Sequence, residues 1–578
     1  MSTSLTIPEA DSTIPPTPTD AIDASLTTLR SNATRWCATD VLTRVELLRS
    51  VIDTTLDAAP AWVTAAAAAK GLRRDSPLMG EDWGSGPATT VRNLALLEST
   101  LIDIAATGRP QPKGVRTAAD GQVAVDVMPA DRIDPLLFAG FTAEARLDRS
   151  VTEEQAYERM GRIYRPDHGK EPGVALVLGA GNVSSIGPMD ALYQLFALDR
   201  VVLLKMNPVN AHLGPHIAAA FAPLVDAGFL RLAYGGADVG AYLTDHGEVD
   251  AIHVTGSEAT YDAIVFGTGE EGARRKRDRT PRLDTPVSAE LGNVTPVIVV
   301  PGPWSDRDLR YHGDNIASML VNNAGFNCVA SRVIVQHRAW AKRQPLLDEV
   351  RRSLREAEPR EPYYPGARER WERFADAHKQ AEWFGEPRDD AVPFTLIPEL
   401  DPAASDDVAF REEAFCGVMG EVGLEAPRSV SEFLDTAVEF CNEQLWGTLA
   451  ATILIHPRSL ADPEVAAALD RAIDRLRYGS VVINHWPGAA YGFVAPPWGA
   501  FPGSDVADVQ SGRGVVHNTY LLEDVEKTVV RGPFTTPMTP PWFHTHRTAD
   551  RLLPTVTRFT GTRDAKLVPA LLWQAARG

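Results

Sequence analysis

Cysteine is scarce in this chain. Among 578 residues only Cys37, Cys328, Cys416 and Cys441 occur. None form a CxxC pair and no nearby histidine completes a zinc pattern, so neither a structural metal nor a disulfide framework is expected. Sparse cysteine in a large chain fits a reducing compartment, and a cytoplasmic location is expected. A basic excess is missing too: 57 Lys and Arg stand against 76 Asp and Glu, for a net charge of −19. With no surplus cation to offset phosphate, nucleic acid and anionic membranes are set aside as partners. The cluster Arg274-Arg275-Lys276-Arg277, followed by Asp278 and Arg279, reads as a solvated loop. No uncharged apolar run reaches the roughly 18 residues of a membrane helix. Residues 1–23 are rich in Thr, Pro and Asp and lack a basic start before an apolar run, so residues 1–24 are expected to be a disordered tail and not a signal peptide. No internal repeat is visible.

What is present is length and alternation. A chain of 578 residues exceeds one hydrophobic core, and its hydrophobic fraction of 44% with 23% charged residues is an ordinary globular balance. Residues 41–58, 62–72 and 88–104 carry helical patterns, and residues 122–164 leave room for a β-hairpin excursion around Val123 to Val127. After Pro172, apolar runs at 174–178, 201–204, 231–234 and 251–254 alternate with helical stretches, one of them at 212–227. Near-continuous apolar strands between helices make a parallel sheet covered on both faces, and this segment is expected to be Rossmann-like. A second series follows, with strands at 297–300, 333–335, 451–455 and 481–484 and helices at 306–322, 430–444 and 462–476. The fold class is therefore α/β, a cofactor domain plus an α/β catalytic domain. The expected division is 25–287, 288–485, and a C-terminal segment 486–578 returning to the first unit. Residues 359–402, rich in proline and charge, read as an irregular insertion.

Chemistry concentrates in Asn322-Asn323-Ala324-Gly325-Phe326-Asn327-Cys328, between a helix and a strand. Alone, Cys328 would be a small buried hydrophobe. Upstream lie Gly179-Ala180-Gly181-Asn182 after one strand, Lys205 at the end of the next, Val254-Thr255-Gly256-Ser257 after another, and Glu290-Leu291-Gly292-Asn293; downstream lies Glu412-Glu413-Ala414-Phe415. Each is weak singly. In this order and spacing, over roughly residues 25–515, the set resembles the aldehyde dehydrogenases. The resemblance implies that Cys328 attacks an aldehyde, giving a thiohemiacetal and then a thioester. It implies that Glu290 is general base to the deacylating water and that Asn182 forms an oxyanion hole with the nucleophile's backbone N–H. Lys205, Gly256, Ser257, Glu413 and Phe415 would bind NAD or NADP, with the pyrophosphate near a helix N-terminus. A homo-oligomer, dimer or tetramer, built with a strand near the chain end, is implied as well.

Several positions depart from the pattern. Pro208 stands where a ribose-binding glutamate is usual, which leaves NADP open. Tyr261 replaces a glycine and is expected to crowd the pyrophosphate path. Phe326 replaces a glutamine, Cys416-Gly417 a Gly-Pro pair, Arg332 sits one residue close to the cysteine, and the stretch from Ser257 to Glu290 is long. In Pro541-Trp542-Phe543-His544-Thr545-His546 the two histidines lack acidic or cysteine neighbours and read as surface residues, with no metal. Two rivals stand beside the dehydrogenase reading: an acylating enzyme in which coenzyme A resolves the thioester, and a nucleotide-binding relative without catalysis. Cofactor-free ester hydrolysis by the same thiol is a compatible side activity. The aldehyde is not legible; loops within 359–402 and 486–501 are expected to line the substrate tunnel.

Overall fold

The computed structural model describes residues 14–118, 120–169, 171–388, 391–426 and 429–578. Two large sheets organise them, beside a two-stranded pairing of Trp498–Gly499 with Val515–His517, and the α/β class is borne out. The smaller runs, edge to edge, Gly512–Arg513, Val287–Leu291, Ala251–Gly256, Gly173–Leu178, Arg200–Lys205 and Leu230–Ala233. All neighbours are parallel except the short first strand. Chain order reverses between Gly173–Leu178 and Ala251–Gly256, and at such a switch point a crevice opens beyond the carboxyl ends of the strands.

The larger sheet has eleven strands: Gly114–Thr117, Val123–Met128, Thr142–Leu147, Val525–Arg531, Ser480–Ile483, Ala450–Leu454, Thr295–Val299, Ser331–His337, Val418–Leu424, Phe394–Leu400 and Glu382–Phe384. Its central strands are parallel and buried on both faces, so they read in the sequence as apolar runs. Sheet membership crosses the sequence division. Residues 114–147 belong to the larger sheet, whereas the strand carrying Glu290 belongs to the smaller. The strand near the chain end, Val525–Arg531, is paired on both edges within the chain, to Ser480–Ile483 and Thr142–Leu147. It therefore offers no free edge to a second copy.

Other local expectations are corrected. Residues 41–69 form one helix, Val41–Ala69, running through Pro60; burial of Trp62, Val63 and Ala66 beyond the proline outweighs its missing N–H. The first helix begins at Thr19 and buries Ile22, so the tail does not extend to residue 24; residues 1–13 lie outside the described part. The stretch 212–227 breaks into Gly214–Ala220 and Ala222–Asp226, with Pro223 at the start of the second. The basic cluster lies on a helix, Gly269–Asp278, where Arg274 and Arg275 pair with Glu271 one turn back. Residues 359–402 are not irregular. They hold the helix Ala367–Ala377, which buries Trp371 and Phe374, and two strands that extend the larger sheet. Among the described residues no helix is long and apolar enough to cross a membrane.

Candidate active site

The helix Asp306–Val321 is started by a capping box between Ser305 and Asp308 and ends at the segment that carries Cys328. There the backbone reverses sharply: Asn323, Ala324 and Gly325 follow one another at φ of 52°, 56° and 82°. Left-handed conformations at non-glycine residues cost roughly 1–3 kcal/mol each and persist only when neighbours over-determine them. The neighbours do so. Asn323 N–H donates to Glu81 Oε2 at 3.0 Å, and its side-chain amide donates to the Asn182 carbonyl at 3.0 Å and the Phe326 carbonyl at 3.1 Å. Asn327 Nδ2 returns to the Asn322 carbonyl at 3.0 Å. Arg332, fully enclosed, donates to the Gly325 carbonyl at 2.8 Å and the Cys416 carbonyl at 2.6 Å, clamping this loop to the segment that carries Glu413.

Gly325 is required twice over. Its φ is left-handed, and a Cβ there would lie 2.5 Å from the Cys416 carbonyl oxygen. Gly325→Ala is expected to lower stability by about 2 kcal/mol or more, read as a drop in melting temperature. An unchanged melting curve would show that the two segments do not approach this closely.

A cavity of about 850 Å³ opens between the sheets at the switch point, and all the residues singled out above line it: Asn182, Lys205, Gly256, Ser257, Glu290, Cys328, Glu413 and Phe415. Cys328 is half-buried and reaches the cavity, whereas Cys37, Cys416 and Cys441 are buried. Asn182 follows the strand Gly173–Leu178 and turns its side-chain amide toward the cysteine loop, donating to the Phe326 carbonyl at 2.9 Å. Glu290 lies in the next strand but one, in register with Thr255. It is 1% exposed, and burial, helped by the nearby Asp190 and Glu413 carboxylates, pushes its carboxyl up to about 8. The Cys328 thiol is its hydrogen-bonding neighbour, and burial, together with Glu290 and Glu413, drives that thiol well above the usual range. Near pH 7 the thiol is thus neutral and most of Glu290 is protonated, with a minor ionised fraction available as a base.

Glu413 is half-buried at the cavity wall and is pushed to about 7 by burial, with Arg332 opposing. Its Oε2 would lie 1.9 Å from a Cβ on Gly292, so the glycine two residues after Glu290 makes room for Glu413. Ser257 caps the helix Glu258–Val265, accepting from Thr260 N–H at 3.2 Å, so its hydroxyl is partly engaged in the helix it starts. Nothing comes closer than 3.9 Å to a Cβ on Gly256, leaving that turn open toward the cavity. Lys205 sits buried at the end of its strand.

Tyr261 does not crowd the cavity. The helix that starts at Glu258 turns its ring into the core beside Val254, Ile264 and Leu291, and smaller neighbours face the crevice instead. Phe326, in place of a polar residue, packs in an aromatic group with Tyr363, Tyr364 and Phe415 at centroid distances of 4.9, 5.7 and 5.9 Å. Tyr364 and Arg370 line the cavity and were not singled out in the sequence. The Tyr363-Tyr364 pair between Pro362 and Pro365 was their only signal: rigid aromatics in a polar stretch. Arg370 donates to the Ala414 and Phe415 carbonyls, both at 3.1 Å. From the other stretch, Trp486 Nε1 donates to the Val329 carbonyl at 2.7 Å, next to the cysteine. His546 is buried at 3% exposure and not on the surface, and His544 meets Ser353 Oγ at 2.8 Å. Among the described residues no group of three metal-ligating side chains occurs.

Fold and site define a class: an α/β protein built on two large sheets, with a thiol, a carboxyl and a carboxamide lining one crevice. Residues 148–365 match the family described as the aldehyde dehydrogenase family. Solved structures agree in fold. The Mycobacterium tuberculosis aldehyde dehydrogenase complexed with NAD⁺ is 16% identical with a TM-score of 0.58, the match covering 91% of this chain and 92% of that one. NADP-dependent glyceraldehyde-3-phosphate dehydrogenase from Bacillus halodurans, complexed with NADP, is 17% identical with a TM-score of 0.56, covering 89% and 92%. Gamma-glutamyl-gamma-aminobutyraldehyde dehydrogenase from Burkholderia cenocepacia is 17% identical with a TM-score of 0.58, covering 88% of each chain.

Proposed function

We propose that this protein oxidises an aldehyde to a carboxylic acid with NAD⁺ or NADP⁺ through a thioester on Cys328. The observation that carries the reading is the convergence of Cys328, Glu290 and Asn182 on one end of the cavity that Lys205, Gly256, Ser257, Glu413 and Phe415 also line. The family match over residues 148–365 supports aldehyde oxidation in general, and the structures similar in fold include complexes with either nucleotide. The residues present suit such a cofactor: an open glycine turn at a helix start, a lysine at a strand end, and a buried carboxylate oxygen of Glu413 that accepts no hydrogen bond, with Arg332 4.0 Å away.

In this reading Glu290 takes the Cys328 proton and the sulfur bonds to the aldehyde carbon, while the Asn182 amide and a backbone N–H receive the developing oxyanion. When bound, the nucleotide supplies the acceptor for the hydride that this carbon loses. Once Glu290 has released that first proton to solvent, it takes a second one from water as the water oxygen bonds to the acyl carbon, and the C–S bond breaks to leave the Cys328 thiolate, which regains a proton. Lys205 and the Gly256–Ser257 turn hold one end of the nucleotide, Glu413 the ribose beside the reacting ring, and Phe415 with Tyr364 walls that end against water.

The test is an aldehyde panel run with each nucleotide, with and without coenzyme A. Reduced nucleotide formed without coenzyme A is expected. Strict dependence on coenzyme A would replace this reading with the acylating one. No nucleotide binding by calorimetry at millimolar concentration would leave a relative without catalysis.

A further inference from the structure

Oxidation of an aldehyde by water and NAD(P)⁺ yields a carboxylate, reduced nucleotide and two protons. Under the reading above, one of those protons ends on Glu290, which is 1% exposed, so it needs a way out. Behind Glu290 lies a file of polar groups that the mechanism does not use. The strands Ala251–Gly256 and Val287–Leu291 pair in parallel, with His253 opposite Ser288 and Thr255 opposite Glu290. Residues two apart share a face of a sheet, so all four side chains lie on one face. The helix Ile186–Phe196 covers that face and sets Asp190 among them.

The contacts are continuous from Thr255 and Asp190 outward, and Thr255 stands in register opposite Glu290 at the inner end. Asp190 is close enough to Glu290 for its charge to act on the Glu290 carboxyl. Thr255 Oγ1 donates to Asp190 Oδ2 at 3.0 Å, His253 Nε2 lies 3.2 Å from Thr255 Oγ1 and 3.6 Å from Asp190 Oδ2, and His253 Nδ1 meets Ser288 Oγ at 2.9 Å. Asp190 and His253 are 1% and 3% exposed, while Ser288 is half-buried, so the file leads outward. One oxygen of Glu290 and one of Asp190, both buried, have no hydrogen-bond partner. Two enclosed carboxyls whose charges act on one another are not both ionised at little cost. An inward-facing histidine, aspartate and serine are a poor choice for packing, since each buried polar group costs stability unless satisfied.

We propose that Asp190, Thr255, His253 and Ser288 form a buried relay that passes the proton collected by Glu290 out to solvent. The protonated Glu290 gives its proton to the Asp190 carboxylate. Asp190 passes it, directly or across the Thr255 hydroxyl, to His253 Nε2, while the proton on Nδ1 leaves by Ser288 Oγ to water. Every hop moves one proton and no electrons, and His253, left as its Nε2–H tautomer, is reset by ring rotation or tautomer exchange before the next proton. The groups facing Glu290 are Asp190 from the covering helix, Cys328, Glu413, the Trp498 N–H and Tyr491. Those facing Asp190 are His253, Thr255, Glu290 and Tyr491. These four act through Glu290 and are positioning residues.

The relay rests on the dehydrogenase reading, and its test separates the two. p-Nitrophenyl acetate loads the thiol without nucleotide, and intact-protein mass follows loss of the acyl group. In His253→Gln and Asp190→Asn, acylation is expected to stay within about twofold of the parent, while deacylation slows by about tenfold or more. Imidazole in the buffer is expected to speed His253→Ala. In Asp190→Asn the alkaline rise of the deacylation rate moves to lower pH, because the charge that raises Glu290 is gone. Parental deacylation in both variants would overturn the relay, as would equal loss of acylation and deacylation without imidazole rescue. A parent that is acylated and deacylated yet never reduces a nucleotide overturns the dehydrogenase reading and leaves the relay to be judged on the ester. A parent not acylated at Cys328 overturns both.

Discussion

Cys328→Ala is expected to lose formation of reduced nucleotide and ester hydrolysis together, each by more than about 10³-fold. Nucleotide affinity and melting temperature are expected to stay close to the parent's. That selectivity follows from geometry. The loop around Cys328 is held by Asn323, Asn327 and Arg332 through amides and backbone carbonyls, none of which involves the sulfur. Removing one half-buried sulfur therefore leaves the loop in place. No second thiol can substitute, since Cys37, Cys416 and Cys441 are 6%, 1% and 0% exposed. Iodoacetamide should accordingly label the native parent at Cys328 alone, and slowly near pH 7, because burial and the two carboxylates hold the thiol in its neutral form. A variant that keeps a tenth of parental turnover would remove the covalent mechanism.

The sequence told most where chemistry or burial restricts residue choice. Strands such as Val297 to Val300 read clearly, because a parallel strand buried on both faces tolerates little but apolar side chains. The order of Asn182, Lys205, Gly256, Glu290, Cys328 and Glu413 was legible because each family motif fixes residue types at a spacing. The strand around Glu290 was not. Its Ser288 and Glu290 face a polar interior shared with His253 and Asp190, so its inward side looks like an outward one. Val525–Arg531 was missed for a related reason. Lys527 sits inside it, 2% exposed, and donates to the carbonyls of Ile473, Asp474 and Leu476 at the end of a helix, where a cation complements the dipole. Tyr261 was misjudged because facing depends on where a helix starts, and the Ser257 cap sets that start. Arg370 meets partners more than forty positions away, at Ala414 and Phe415. Local pattern carries no trace of such contacts.

Glu290→Gln separates the two halves of the proposed reaction. If a residual base or the bound nucleotide's positive charge suffices to ionise Cys328, mixing the variant with aldehyde and nucleotide gives a burst approaching one reduced nucleotide per site, then a steady rate lower by about 10²–10⁴-fold. If Glu290 alone ionises the thiol, the burst is slowed as well, but the acyl-enzyme still accumulates. In the parent, with Glu290 held near 8, roughly a tenth of the base is ionised at pH 7 and most of it at pH 9, so the deacylation rate should climb about tenfold between them. The variant should show no such climb. Stability gives a check free of kinetics. The folded carboxyl is raised from 4.5 to about 8, so its contribution is fully present below pH 4.5 and is lost as pH rises through 8. Glutamine does not titrate. The variant should therefore become more stable relative to the parent as pH increases, by on the order of a few kcal/mol above pH 8. A stability gap that does not change with pH would mean that Glu290 ionises freely in the folded protein, and an unchanged steady-state rate would remove it from the chemistry altogether.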